Sequence, residues 1–187
     1  VALRRSPDTL LCAMAGQRGA VPENIEEDST EGEAMRAKLG QAAYDLNVQQ
    51  YCCAGLNFGT FYESSPIISH DGEAAPGYTM ANFTASTVPG CRTPHLWLGG
   101  GRGLYDAMGP EYTLLRLNRD IDVSPFLFAC HEKGVPLSVL DLDGVTTPSS
   151  YRHGLVLSRP DQHVAWRGNA LPDNCGNLSD LIRGATR

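Results

Sequence analysis

The first third of the chain has an irregular start followed by a helical pattern of apolar residues. Prolines, glycines and an acidic stretch interrupt residues 1–29, which predicts a connector with a short helix near Asp8–Ala15. Thr30 and Glu33 then have the spacing of a capping box. Apolar residues recur at mostly helical intervals: Met35, Leu39, Ala42, Leu46 and Cys53. The pattern predicts a helix of about 25 residues that ends at Gly55 and packs its Met35/Leu39/Leu46 face on an apolar partner.

The next segment, residues 55–92, is rich in glycine and proline but also carries large apolar side chains. These are Phe58, Phe61, Tyr62, Ile67, Ile68, Tyr78 and Phe83. Long irregular segments are uncommon in compact domains unless they cover something. The sequence therefore predicts an extended arm over an apolar surface, so that residues 30–92 form a helix and a covering arm.

From residue 93 onward, short apolar runs flank one helical segment. The helix is predicted to begin at Ser124, with Pro125 in its first turn, and to end at Gly134. Strands are predicted on both sides of it, at His95–Leu98, Glu111–Leu117 and Leu137–Leu140. A strand, a helix and a strand with short connections imply parallel pairing through a right-handed crossover.

A hairpin and a last helix complete the pattern. Leu155–Leu157 and His163–Trp166 flank residues 159–162, where proline at the second position and aspartate at the third fit a type I turn. Leu178–Thr186 predicts the last helix. The order β-α-β followed by β-β-α is that of a thioredoxin-like fold. The predicted class is therefore α/β, with a thioredoxin-like C-terminal domain at 93–187 preceded by a long helix and an extended covering arm.

Charge and composition narrow the classes of function. The chain has 15 basic and 21 acidic side chains, for a net charge of -6. This balance argues against a nucleic-acid surface and against binding to anionic membranes, which both need clustered Lys and Arg. No apolar run approaches the ~18 residues of a membrane-spanning helix. Because the chain starts at Val1, we expect it to be cut from something longer, with residues 1–29 connecting to a missing upstream domain.

Six cysteines are scattered without a C-x-x-C pair, at positions 12, 52, 53, 91, 130 and 175. A disulfide framework stays open on the count alone, but free thiols in a reducing cytoplasm are the preferred interpretation. The loop where a thioredoxin-like fold would carry its nucleophile, residues 118–124, has no cysteine. We therefore expect no disulfide exchange, with Cys130 as a small buried hydrophobe. A weaker hypothesis is a redox enzyme that uses Cys91 or Cys175.

Other candidate chemistry is weak. Residues 99–103, Gly-Gly-Gly-Arg-Gly, follow a predicted strand but lack both the dinucleotide and the P-loop spacing, so a turn is the preferred interpretation. The five histidines never stand at i and i+4 on one helix, and no G-x-S-x-G is present. The sequence thus predicts no catalytic, no cofactor-binding and no metal-binding residue in this chain.

Four segments in order carry a family resemblance. They are residues 55–68 followed by Asp71-Gly72, residues 89–98, residues 104–106 leading to 112–116, and residues 159–168 (Arg-Pro-Asp-Gln-His-Val-Ala-Trp-Arg-Gly). Together they resemble the C-terminal region of the FAD-dependent aromatic-ring hydroxylases of the phenol and 3-hydroxyphenylpropionate type. One departure is Phe61, which stands where many relatives carry Arg before the Tyr, so a salt bridge there is not assumed.

The resemblance implies a parent enzyme that reduces FAD with NADPH or NADH and hydroxylates a phenolic ring. It implies that this chain is a structural and oligomerisation portion, which binds neither FAD nor NAD(P)H itself. The partners would be the missing flavin-binding domain, in the same or a separate chain, and further copies of the enzyme. The alternative is a free-standing thioredoxin-like protein-binding module without catalytic activity.

Overall fold

The structure is a computed structural model that describes residues 22–51 and 53–185, without the side chains of residues 46, 47, 49 and 50. The short helix predicted near Asp8–Ala15 and the predicted contact of the Leu46 side chain therefore lie outside the described residues. The chain divides into two compact units. The sheet unit comprises Thr60–Gly77 and the residues from Thr84 onward, and the helix unit comprises the described residues up to Gly59 together with Tyr78–Phe83.

The helix unit is built on one long helix. A 3-10 turn at Glu23–Glu26 precedes α1 (Thr30–Tyr51), and a short helix α2 (Ala54–Phe58) follows it. The hydroxyl of Ser29 accepts a hydrogen bond from the backbone N–H of Gly32 at 3.1 Å. The helix cap is thus Ser29 and not the predicted Thr30, because serine one residue earlier satisfies the free N–H equally well.

Gly55 does not end the long helix, contrary to the expectation from sequence. It lies inside α2, and the backbone oxygens of Thr79 and Asn82 approach it so closely that an added Cβ would lie 1.8 Å and 2.6 Å from them. The adjacent N–H of Leu56 donates to Met80 O at 3.1 Å. The glycine is therefore needed for this close backbone approach within the helix unit.

The sheet unit contains a four-stranded mixed sheet with the order β2-β1-β3-β4. Its elements are α3 (Leu104–Ala107), β1 (Tyr112–Arg116), α4 (Ser124–Glu132), β2 (Leu137–Asp141), β3 (Leu155–Ser158), β4 (Val164–Gly168) and α5 (Cys175–Ile182). Strands β1 and β2 are parallel, and β3 is antiparallel to both of its neighbours. The predicted parallel pair and hairpin, and with them the α/β fold class, are confirmed.

Both faces of this sheet are covered, so adjacent strand residues are buried on opposite sides. Leu114 belongs to the core under α4 and α5, whereas Leu115 belongs to the core on the other face. The second core also contains Leu96 and Leu104 from the segment before β1. Coverage of both faces explains why all of β3 and the three central residues of β1 are buried.

Two element predictions need correction. His95–Leu98 is not a strand: it makes one isolated bridge, between Trp97 and Gly103, because three glycines turn the chain back at once into α3. The last helix spans Cys175–Ile182 and not 178–186. The side chain of Asn174 caps it by accepting from the N–H of Asn177 at 3.0 Å, and Gly184, with φ +74, follows its end.

Residues 60–77, which we call the strap, run along the sheet unit without regular secondary structure. The N–H of Ser69 donates to Ala165 O at 2.8 Å, and the N–H of Gly90 donates to Val164 O at 2.8 Å. The strap and the segment before residue 92 thereby supply partners to β4, which is an edge strand of the sheet. That the other residues of the predicted arm (55–92) cover an apolar surface stays a prediction.

Candidate functional site

Two of the resemblance segments meet at the hairpin between β3 and β4. The hydroxyl of Tyr62, in the strap, donates to the Asp161 carboxylate at 3.1 Å. The guanidinium of Arg159 lies 4.8 Å from the centre of the Tyr62 ring and makes a 3.0 Å ion pair with Asp161. The His163 ring meets the Tyr62 ring edge-on at 4.9 Å. The hairpin tip therefore holds the strap through one ring and one carboxylate.

The turn at residues 159–162 is closed by backbone hydrogen bonds. The N–H of Gln162 donates to Arg159 O at 2.9 Å, and the N–H of Arg159 donates to His163 O at 2.8 Å. Gln162 has φ 65, which the sequence prediction of a plain type I turn does not include. The pairing register shifts between Leu157 and Ser158, so a bulge accommodates this extra residue.

The protonation states of Tyr62 and Asp161 are fixed over the neutral range. Burial opposes ionisation of Asp161, but hydrogen bonds from His163 and Tyr62 and the charge of Arg159 outweigh it and lower its pKa to about 2. Burial and the hydrogen bond to Asp161 raise the pKa of Tyr62. Near pH 7 the carboxylate is ionised and the phenol protonated, so the pair holds a hydrogen bond between strap and hairpin and has no proton to exchange there.

A second fastening lies at the end of β4. The side chain of Arg167 is 1% exposed and divides its guanidinium between Asp71 at 2.7 Å and Glu73 at 2.6 Å. Arg152 also pairs with Glu73. Burial opposes ionisation of Asp71, but the hydrogen bond from Arg167 outweighs it and lowers the pKa of Asp71. A hydrogen bond from Arg152, followed by that from Arg167, lowers the pKa of Glu73.

The predicted segments contained these residues without revealing their pairing. Asp71-Gly72 and the run from Arg159 to Gly168 belong to two separate segments of the resemblance, and the structure joins them through Arg167 and Asp71. Glu73 was missed altogether. Its signal was an acidic residue two positions after Asp71, in a strap otherwise rich in apolar and small residues.

The described thiols lie away from the redox position of the fold. Ser124 is the first residue of α4, and the loop before it has no cysteine. Burial raises the pKa of Cys91 to about 11, and burial also raises the pKa of Cys130 and of Cys175. A protonated, buried thiol is a poor nucleophile. These environments count against the weaker hypothesis of a redox enzyme based on Cys91 or Cys175.

A glycine turn and a surface depression are the remaining candidates for a ligand site among the described residues. The glycine turn Gly99–Gly101 is followed by α3, a helix of four residues, which is too short to hold a phosphate at its N-terminus. A shallow, open depression of about 350 Å³ lies beside Ser149, Ser150 and Arg152, but the Arg152 charge is already paired with Glu73. Within residues 22–51 and 53–185, no three His, Cys, Asp or Glu side chains are grouped to hold a metal ion.

Over the same residues, no helix has the length and apolar character that a membrane span needs.

Comparison with known proteins relates the chain to the aromatic-ring hydroxylases. The family model of the aromatic-ring hydroxylase C-terminal domain matches residues 86–184. Phenol 2-monooxygenase from Pseudomonas sp. (strain EST1001) is 30% identical over 87% of this chain and 29% of its own length. The FAD-dependent monooxygenase opdD from Penicillium oxalicum is 28% identical over 78% of this chain and 28% of its own length. The chain thus spans less than a third of the curated relatives it matches.

Solved structures show the same relationship. The rebeccamycin biosynthetic enzyme RebC with reduced flavin is 30% identical, with a TM-score of 0.80 over 96% of this chain and 33% of that protein. The RebC-10x variant, native and K252c-bound, has a TM-score of 0.83 over 96% of this chain and 34% of that protein. The family match and the fold are those of the C-terminal domain of an aromatic-ring hydroxylase. The chain belongs to the aromatic-ring hydroxylase family.

Proposed function

We propose that this chain is the structural C-terminal portion of an FAD-dependent monooxygenase that hydroxylates a phenolic ring. The reductant would be NADPH or NADH, and FAD would be held by a flavin-binding portion in the same or a separate polypeptide. Phenol 2-monooxygenase and the FAD-dependent monooxygenases among the relatives support this assignment. The four described cysteines, at 53, 91, 130 and 175, are free thiols, which supports a reducing compartment such as the cytoplasm.

One observation carries the proposal: the helix unit has no core of its own among its described residues. Only Gly32 and Gly55 are buried there, although α1 extends over 22 residues. Met35 and Leu39, on its predicted apolar face, are half-buried, and Tyr44 and Tyr51 are largely exposed. A helix of this length obtains most of its stability from packing. We infer that the flavin-binding portion covers it.

The test supplies that portion and follows FAD. The tagged chain is co-produced with the flavin-binding portion of the Pseudomonas phenol 2-monooxygenase, cut where its similarity to this chain begins, and purified by gel filtration. We expect FAD to be retained with the pair and to be absent from the chain produced alone. Phenol-dependent oxidation of NADPH or NADH should accompany the pair.

The control is the same chain without its helix unit, starting at residue 60 with residues 78–83 replaced by a glycine-serine linker. It should retain much less FAD, because the proposed contact is missing. If the complete chain retains no more flavoprotein than this control, the proposal is wrong and the free-standing binding module is favoured. Flavin bound to the chain alone would also contradict the proposal, because it would show that this chain itself holds FAD.

A further inference from the structure

A small hairpin projects from the sheet unit before β1. Leu96 and Leu104 are buried in the core, one on each arm. The N–H of Leu104 donates to Leu96 O at 3.0 Å, and the N–H of Leu98 donates to Arg102 O at 2.8 Å. The tip consists of three glycines, and no described atom lies within 4 Å of the positions where their Cβ atoms would be. The base of the hairpin is thus fixed in the core while its tip stands free.

Trp97 lies on the outer side of this hairpin with 69% of its surface exposed. Its ring is supported from one side by His95, at 5.0 Å between centres, and His95 in turn stacks edge-on against Tyr105 at 5.2 Å. The hydroxyl of Tyr105 donates to Thr93 O at 2.6 Å. A large apolar side chain is therefore supported on one side by neighbouring rings while most of its surface is exposed.

The sequence makes room for this support. An added Cβ at Gly103 would lie 3.0 Å from Nε2 of His95 and 2.9 Å from Oδ2 of Asp106. Glycine at this position lets the His95 ring lie against the opposite arm of the hairpin. An exposed tryptophan supported by neighbouring rings is typical of the central residue of a binding surface.

Phe128 offers a contrast in the same unit. It is 67% exposed on α4, almost as much as Trp97. No aromatic ring of the described residues stacks on it. Single exposed apolar side chains are ordinary on protein surfaces, and Phe128 belongs to that class. Exposure alone therefore does not distinguish Trp97, but exposure combined with a chain of supporting rings does.

We propose that the Trp97 hairpin (residues 95–104) is a docking surface for the flavin-binding portion of the enzyme. The inference rests on the proposed function and adds a second contact, in the sheet unit, to the one made by the helix unit. The occupant follows from length, because the relatives are about three times as long as this chain and the family's matched domain is the C-terminal one. That portion is therefore the largest surface that this domain can meet within such an enzyme.

Charge adds to the chemistry of the complementary surface. Arg92 lies over the Tyr105 ring at 5.2 Å, and Arg102 and Asp106 are exposed beside the hairpin. The patch thus carries charges of both signs around the indole. The matching surface should be an apolar pocket for the indole with a polar, charged rim.

The test compares Trp97→Ala with Phe128→Ala in the complete chain, each co-produced with the same flavin-binding portion as above. The first readout is the ratio of FAD to chain after gel filtration. The second is the dissociation constant of the chain and the flavin-binding portion, measured by titrating one purified component with the other. We expect Trp97→Ala to weaken association at least tenfold and to reduce the retained FAD accordingly. Phe128→Ala should leave both within a factor of two. Thermal unfolding of each variant alone verifies that the fold is intact.

The possible outcomes separate the two proposals. If the unchanged chain binds the flavin-binding portion and Trp97→Ala binds it equally well, the docking inference is wrong and the proposed function stands. If the unchanged chain does not bind, the proposed function fails and the inference fails with it. If Trp97→Ala instead abolishes a self-association of the isolated chain, the occupant is a second copy and the inference as stated is overturned.

Discussion

The guanidinium of Arg167 lies 2.7 Å from the carboxylate of Asp71, which precedes it by 96 residues. A second nitrogen of the same group reaches Glu73 at 2.6 Å, and a third donates to the Thr87 hydroxyl at 3.3 Å. One buried cation at the end of β4 thus fixes the strap to the sheet. Such a group is satisfied only when all its partners are in place.

Removal of this cation should loosen the strap. In Arg167→Met the carboxylate of Asp71 loses its main partner and that of Glu73 keeps Arg152, and both carboxylates are partly exposed and regain water. We therefore expect a loss of about 2–3 kcal/mol in the free energy of unfolding, below the full cost of a stranded buried charge. Urea denaturation at pH 7 measures it.

A matched control is Arg183→Met, because Arg183 also pairs with a carboxylate, Asp180, but its side chain is 45% exposed. Exposed pairs contribute little, so we expect a change below about 0.5 kcal/mol. Limited proteolysis adds a local readout, since the strap should become cleavable in Arg167→Met before the sheet does. Equal effects of the two substitutions would show that Arg167 does not fasten the strap.

A second test of how the strap is held uses Gly90, which contacts the backbone of Tyr62. Its φ of +100 disfavours any side chain, and an added Cβ would lie 2.3 Å from the carbonyl oxygen of Tyr62. The N–H of Tyr62 donates to Gly90 O at 3.0 Å, so the clash would break the backbone contact that aligns Tyr62 with the hairpin. Gly90→Ala should cost more than about 3 kcal/mol, which is backbone strain plus the lost contacts.

The control for Gly90 is Gly72→Ala in the same strap. Gly72 has φ +84, but no described atom lies within 4 Å of its added Cβ. It should cost only the left-handed strain, about 1–2 kcal/mol. Denaturation curves of both variants, analysed for midpoint and slope, make the comparison. Similar losses in the two variants would mean that the approach of Tyr62 to Gly90 is not a constraint.

The sequence predicted those parts of the fold that local patterns determine. The parallel pair, α4 with its start at Ser124, and the hairpin at residues 155–168 follow from short apolar runs, a helix-starting proline and a turn motif. The family resemblance also predicted that the segments around Tyr62 and Arg159 belong to one architecture. Neither source predicted which side chains would meet, because the Arg167–Asp71 pair is set by long-range packing and not by spacing.

The errors have local physical causes. Ser29 and Thr30 are both good caps, and no pattern chooses between neighbours of equal chemistry. A glycine after a helical pattern predicts a helix end at Gly55, but the close approach of the backbone oxygens of Thr79 and Asn82 is what requires glycine there. The His95–Leu98 run alternates like a strand. The glycine turn follows it at once, so the returning segment is too short to pair with it beyond one isolated bridge. Its outward residue, Trp97, is the one to which we assign a docking role.

The buried thiols should be inert in the folded chain. With its pKa raised to about 11 from 9.0, Cys91 has a thiolate fraction near neutral pH about a hundredfold below that of a free thiol. We expect Cys91 and Cys130 to react with an aromatic disulfide reagent only on unfolding, and we expect no reduction of insulin. Single-thiol variants in buffer and in urea provide the comparison. Insulin reduction that disappears when one cysteine is replaced would contradict the expectation.

Stability should fall at acid pH, with Asp161 as one identifiable source. Its pKa in the folded chain is about 2, below the ordinary 3.8, so the folded state binds this proton less readily than the unfolded state does. A depressed carboxyl pKa contributes stability that is complete above about pH 5 and is lost as the pH falls through 4 toward 2. The full shift would correspond to roughly 2.4 kcal/mol, but the side chain is 37% exposed and solvent screens it, so we expect about 1 kcal/mol.

Asp161→Asn isolates this contribution, because the amide keeps the shape and still accepts from Tyr62, but it removes the titration and the ion pair with Arg159. At pH 6 the variant should be less stable than the unchanged chain by about 1 kcal/mol, and the difference should shrink to nearly zero by about pH 2. Asp71, Asp141 and Asp180 also have lowered pKa values, so both proteins should weaken in acid and only the gap between their curves is diagnostic. Urea midpoints at half-unit steps between pH 6 and 2 measure that gap. A gap that stays constant over this range would show that Asp161 is not held ionised by Arg159, Tyr62 and His163.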